Sequence, residues 1–126
     1  MIGFDDFILQ DGVPIYLQIL SYVKRGAVAG VIQNGDELPS RRTLSALLGV
    51  NPNTVQRAYK LLEDEGLIES HAGAKSLMVL DDDAVARLRG ELLAQEARGV
   101  IEKLKQMGLT KAEAAVLLDE YWDREV

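Results

Sequence analysis

LPSRRTLSALLGVNPNTVQRAYKLLEDEGLI, residues 38–68, decides the architecture of this chain. After Pro39, the hydroxyl of Ser40 can cap a helix whose apolar stripe is Leu44, Leu47 and Leu48. Gly49 supplies a left-handed stop. Asn51 then caps a second helix, with Pro52 at the first helical position, where its missing N–H costs nothing. Val55, Ala58, Tyr59 and Leu62 share the inner face of that helix, and Gly66 ends it. Tyr59 is expected in the core with its hydroxyl near the surface. Two short amphipathic helices joined by so tight a turn can lay the second in the major groove of DNA.

Outward from that pair the same periodicities continue. From Pro14 to about Gly30, Ile15, Ile19, Tyr22, Val23 and Ala27 recur at helical spacing, with Lys24 and Arg25 outward. Pro14 suits the first turn, Gly26 costs the helix some propensity, and residues 1–13 form an extended lead-in. Residues 67–70 and 76–80 are short strands of a hairpin around His71-Ala72-Gly73-Ala74-Lys75. Helix, helix, helix and hairpin, in that order over 14–80, make a winged helix-turn-helix. Past Leu80, a long helix carries Val85, Leu88, Leu92, Leu93, Val100, Ile101, Leu104 and Met107 and stops at Gly108. Thr110 and Glu113 have capping-box spacing and open a last helix with Leu117, Tyr121 and Trp122. The expected fold is mainly α with a small β-hairpin: a winged helix-turn-helix followed by a two-helix dimerisation tail at 81–126.

At 126 residues, 48% hydrophobic and 27% charged, the chain has the composition of one ordinary globular domain with a short appendage. No apolar run approaches the ~18–20 residues that span a bilayer, and the acidic start MIGFDDFILQDG lacks the basic flank of a signal peptide. Without cysteine there is no disulfide framework and no thiolate metal site, which permits a reducing cytoplasm. The net charge of −6 speaks against a nucleic-acid partner until its distribution is read. Residues 40–60 hold Arg41, Arg42, Arg57 and Lys60 and no acid, whereas residues 81–126 hold eleven acids against seven bases. Fields fade beyond a Debye length of ~8 Å, so a basic face on an acidic body can still meet phosphates.

The candidate contacts follow from chemistry. Arg42 can clamp a phosphate or pair with guanine, against a solvated face or an ion pair with Glu37; Arg41 is its neighbour candidate. Asn53, Thr54 and Gln56 stand in the first turns of the second helix of the pair, the part that meets base edges, with local capping as the rival for the first two. Arg57 and Lys60, one turn on, suit phosphates, and His71 and Lys75 bracket the hairpin tip. With the cap residues Ser40 and Asn51, these are the expected DNA-binding residues. Val100, Ile101, Leu104, Leu117, Tyr121 and Trp122 are the expected surface for a second copy. The acids at 81–83 suit a helix start without any metal, one histidine without carboxylate partners supports neither metal nor catalysis, and no cofactor is expected.

Several ordered motifs resemble the GntR family of bacterial regulators: PIYLQI at 14–19, Gly35-Asp36, LPSRRTL at 38–44, Leu48-Gly49-Val50, NTVQRAY at 53–59, and Leu62-Glu63 with Glu65-Gly66-Leu67-Ile68. NPNTV followed by about 46 further residues looks like the YtrA-like subfamily, which implies two C-terminal helices used for dimerisation. The resemblance implies a cytoplasmic homodimer that binds double-stranded DNA as a repressor, with no membrane partner and no effector named by the sequence. The rival is a winged-helix protein-interaction module without specific DNA binding. An enzymatic branch of the family would need a catalytic domain that 46 residues cannot hold.

Overall fold

The computed structural model describes residues 1–71 and 75–124. Helix α1 (Ile15–Val28) buries Ile19, Val23 and Ala27 against α3 (Pro52–Asp64). Helix α2 (Arg41–Leu48) packs on the other flank of α3. Strands β2 (Ile68–His71) and β3 (Lys75–Met78) pair antiparallel, with Ile68 opposite Met78 and His71 opposite Lys75. The expected hairpin tip, Ala72 to Ala74, lies outside the described residues. A further strand, β1 (Glu37–Leu38), pairs with the far side of β3, giving the order β1-β3-β2. Two residues are too short for an alternation to show, so periodicity alone does not find β1.

Four local expectations need correction. Leu47 is 60% exposed instead of buried. On an eight-residue helix the inner face runs from Leu44 to Leu48, one turn apart, and includes Ser45, whose hydroxyl donates to the Arg42 carbonyl at 3.0 Å. Pro14 sits one place ahead of the first helical residue, where its carbonyl accepts from the amides of Leu17 and Gln18. The Tyr59 hydroxyl lies far from the surface: it is buried and donates to the Pro39 carbonyl at 2.7 Å. Residues 1–13 do more than lead in. Ile2 donates its amide to Glu37, Ile2 and Phe4 are buried in the core, and the Phe4 ring stacks on Tyr22 with centroids 4.8 Å apart.

Helix α4 (Asp82–Gln106) begins with the Asp81 carboxylate accepting the Ala84 amide, and its first turns bring Leu88 into the same core. The chain divides into two compact units at Arg89 and Gly90, inside α4. In the second unit, Gly108 turns the backbone at φ +81° and leads to α5 (Lys111–Trp122). Thr110 and Glu113 form the full reciprocal capping box. No described residue of this second unit is buried.

Gly26 has a packing reason for its place in α1. Its carbonyl accepts the amides of both Val31 and Ile32, and an added Cβ would stand 2.6 Å from Ile32 Cδ1 and 2.9 Å from Cγ1. Ile32 is itself core and cannot swing into solvent without loss. Alanine gains about 1 kcal/mol in helix propensity but overpacks a filled site, which costs about 1–3 kcal/mol. Urea unfolding of Gly26→Ala should show net destabilisation of about 1 kcal/mol, relieved in Gly26→Ala/Ile32→Val. Equal or greater stability of the single variant would show that Ile32 gives way freely.

Candidate nucleic-acid interface

The site is built by the turn between α2 and α3. Gly49 takes φ +67° and donates its amide to the Ser45 carbonyl, which also accepts from Val50. Asn51 then begins α3, its side-chain oxygen accepting the Asn53 amide at 2.8 Å and its carbonyl the Thr54 amide at 2.9 Å. With Val55, Ala58, Tyr59 and Leu62 wholly buried, helical geometry turns Asn53, Gln56, Arg57 and Lys60 outward as one exposed row. Thr54 is half-buried at the edge of that row.

The basic groups around the row are held differently. Arg42 is exposed and forms no hydrogen bond or ion pair among the described residues, Glu37 included. Arg57 lays its guanidinium over the Tyr16 ring, 3.8 Å from the centroid, so helix α1 props a cation of α3. Lys60 is tied to Asp64 at 2.6 Å, and that carboxylate holds its ammonium above the ordinary range. Lys75 is exposed at the start of β3, and His71 opposite it lies 3.5 Å from a Glu69 carboxylate oxygen. Ser40 is spent locally, capping α2 through the Thr43 amide.

Arg41 is the residue that sequence alone places least well. It is half-buried and donates through Nε to the Gln56 side-chain oxygen and through Nη1 to Ser76 Oγ at 3.4 Å. Its guanidinium also lies over the Tyr59 ring at 5.0 Å. Burial pushes the Tyr59 phenol well above its ordinary range, with Arg41 working the other way, so the ring stays neutral. Ser76 was not among the expected site residues. A period-two reading of β3 carries the signal: Ser76 and Met78 point inward together, and a polar group at such a position needs a partner.

In the second unit the six residues expected to meet a second copy lie at or near the surface. Trp122 is 80% exposed, Tyr121 and Ile101 about half, and Leu104 and Leu117 half-buried. Val100, Ile101, Leu104, Leu109 and Leu118 line a groove of about 370 Å³ between the two helices of this unit. Among the described residues no cluster of acids and histidine could hold a metal ion, and no helix is long and apolar enough to cross a membrane.

The model of the family "Bacterial regulatory proteins, gntR family" matches residues 15–75. The uncharacterized HTH-type transcriptional regulator YhcF of Bacillus subtilis is 35% identical over 104 residues, 82% of this chain and 86% of that protein. The HTH-type transcriptional repressor YtrA of the same organism is 33% identical over 119 residues, 93% of this chain and 87% of that one. A solved GntR family transcriptional regulator from Listeria monocytogenes superposes with a TM-score of 0.78 at 30% identity, covering 89% of this chain and 98% of the other.

The cap at Asn51 gives the site a stability test. Asn51→Ala leaves the Asn53 amide without its side-chain acceptor and should cost about 1 kcal/mol in urea unfolding. Asn51→Asp should keep most of it, and an unchanged alanine variant would mean that water caps the helix equally well.

Proposed function

The chain belongs to the gntR family of bacterial regulatory proteins, and from that membership we propose that it is a cytoplasmic, dimeric repressor that reads an inverted-repeat operator. That it is a DNA-binding transcription regulator of YtrA-like type follows from the family, the relatives and the fold together. The observation that carries the finer reading is the outward row Asn53, Gln56, Arg57 and Lys60, opposite a wholly buried face and inside a segment without acids. Asn53, Thr54 and Gln56 meet base edges. Arg42, Arg57 and Lys75 meet phosphates, while Lys60 must first release Asp64. His71 stands beside Lys75 on the wing, and Ser40 and Asn51 present the helix starts. Repression is supported by the name of the YtrA relative, and by a basic helix able to occlude a promoter.

Dimerisation is supported by the second unit. Two helices without one buried residue leave an apolar surface that only another chain can cover, and a two-fold axis would bring α3 twice to one face of DNA. Half-sites then lie about one turn, ~34 Å, apart or a multiple of it. Gel filtration of Ile101→Asp/Trp122→Ser should give a monomer with weakened operator binding. A variant that stays dimeric would place the interface elsewhere.

Binding of the full chain to its own promoter fragment across a salt series tests the DNA reading. Affinity should fall steeply with salt and survive excess random DNA. Arg42→Ala/Arg57→Ala should lose at least about tenfold in affinity and flatten the log–log salt slope by about 1.8, about 0.9 per phosphate contact. A dimeric double variant that binds like the parent would sink the assignment, and parent binding no tighter than to random DNA would favour a protein partner.

A further inference from the structure

We propose that Arg41 is a positioning residue that fixes the hydrogen-bonding face of Gln56, so that Gln56 reads guanine where an unconstrained glutamine reads adenine. The inference rests on the DNA-binding reading above and assigns a base preference within it.

An arginine side chain carries only donors. The group that Gln56 turns toward Arg41 must therefore be its carbonyl oxygen, as the Nε–H to Oε1 bond shows. The amide is planar, so its NH2 is directed away from Arg41 on an exposed side chain of the outward row. Arg41 itself is held on two further sides, by Ser76 Oγ, on a residue only 2% exposed, and by the face of the buried Tyr59 ring. Three anchors on three elements, α3 twice and β3 once, give the guanidinium one place to be. The acceptor of Gln56 is engaged before DNA arrives, and its two N–H groups remain.

Base edges in the major groove discriminate between these cases. Adenine offers an acceptor at N7 and a donor at N6, so it needs both ends of an amide. Guanine offers acceptors at N7 and O6, which suit two donors. Thymine presents one acceptor beside a methyl group, and cytosine presents a donor that the Gln56 NH2 would oppose. The locked amide fits guanine best.

The test is selection of bound sites from a randomised duplex library by the full chain, read by sequencing, for the parent and for Gln56→Ala, Arg41→Met and Gln56→Glu. Gln56→Ala identifies the position that Gln56 reads. There the parent should prefer guanine over adenine by on the order of tenfold. Arg41→Met keeps an unbranched apolar stem over Tyr59, and should bring that preference within about twofold while the rest of the motif persists. Gln56→Glu still accepts from Arg41 but presents a second acceptor outward, so the position should switch to cytosine, whose N4 donates. Persistence of the remaining motif reports that each variant is folded, and Gln56→Glu decides the matter if Arg41→Met does not fold. Adenine at the Gln56 position of the parent, no position altered by Gln56→Ala, or an intact guanine preference in Arg41→Met each overturns the inference and leaves DNA reading in place. Failure of every chain to enrich any motif overturns DNA reading, and the inference with it.

Discussion

The hydroxyl of Tyr59 donates to the Pro39 carbonyl from a wholly buried position, and the placement of α3 depends on that contact. A phenol in the core without an acceptor would cost more than its ring gains, so the ring can lie under α2 only where that carbonyl awaits it. Pro39 has no amide to compete for the space, and it directly precedes Ser40, the cap of α2. One side chain thereby fixes the junction of β1 and α2 against the middle of α3. The same ring carries Arg41, and Arg41 reaches Ser76 on β3. The spacing of the helix pair and its distance from the wing strand are consequences of one aromatic residue and what it touches.

Charge is arranged with the same economy. A chain at −6 overall keeps residues 40–60 free of acids, and the cations there are graded by how firmly they are held. Arg42 is loose, Arg57 is propped on Tyr16, Lys60 is shared with Asp64, and Arg41 is fixed. Loose cations suit phosphates, whose positions vary along a duplex, whereas a base edge demands a side chain with few rotamers. The ordering of mobility follows the ordering of tasks in the proposed complex.

Local chemistry was legible in the chain. Ser40, Gly49, Asn51 with Pro52, Gly66 and the pair Thr110 and Glu113 each act within four residues of themselves, and each stands where its residue type requires. The buried face of α3 was legible for a similar reason, because 3.6-residue spacing sorts thirteen residues with little ambiguity. Contacts between residues distant in sequence were not. Ile2 meets Glu37, Tyr59 meets Pro39 and Arg41 meets Gln56 and Ser76, and no spacing encodes such meetings. Leu47 shows the limit from the other side: on a helix of two turns, one residue's rotation separates core from solvent. The site was readable as a set of residue types, and its internal division into held and free groups was not.

The second unit shows what a helical hairpin does when it has no core of its own. Its caps are complete, with Gly108 at the turn and the capping box at Thr110, so its backbone has every local reason to be helical. Local reasons sum to little, because helices of twelve residues are marginal in water without an apolar face packed away. Here that face includes Ile101, Tyr121 and Trp122, at least half exposed. Burying the three would remove apolar area at about 25 cal/mol per Å², a term comparable to the whole stability of a small domain only when two copies supply it together. In the proposed dimer, folding of this unit and association become one equilibrium. The number of α3 helices presented to an operator is then set by protein concentration through the tail, with no need for an enclosed effector pocket in the tail.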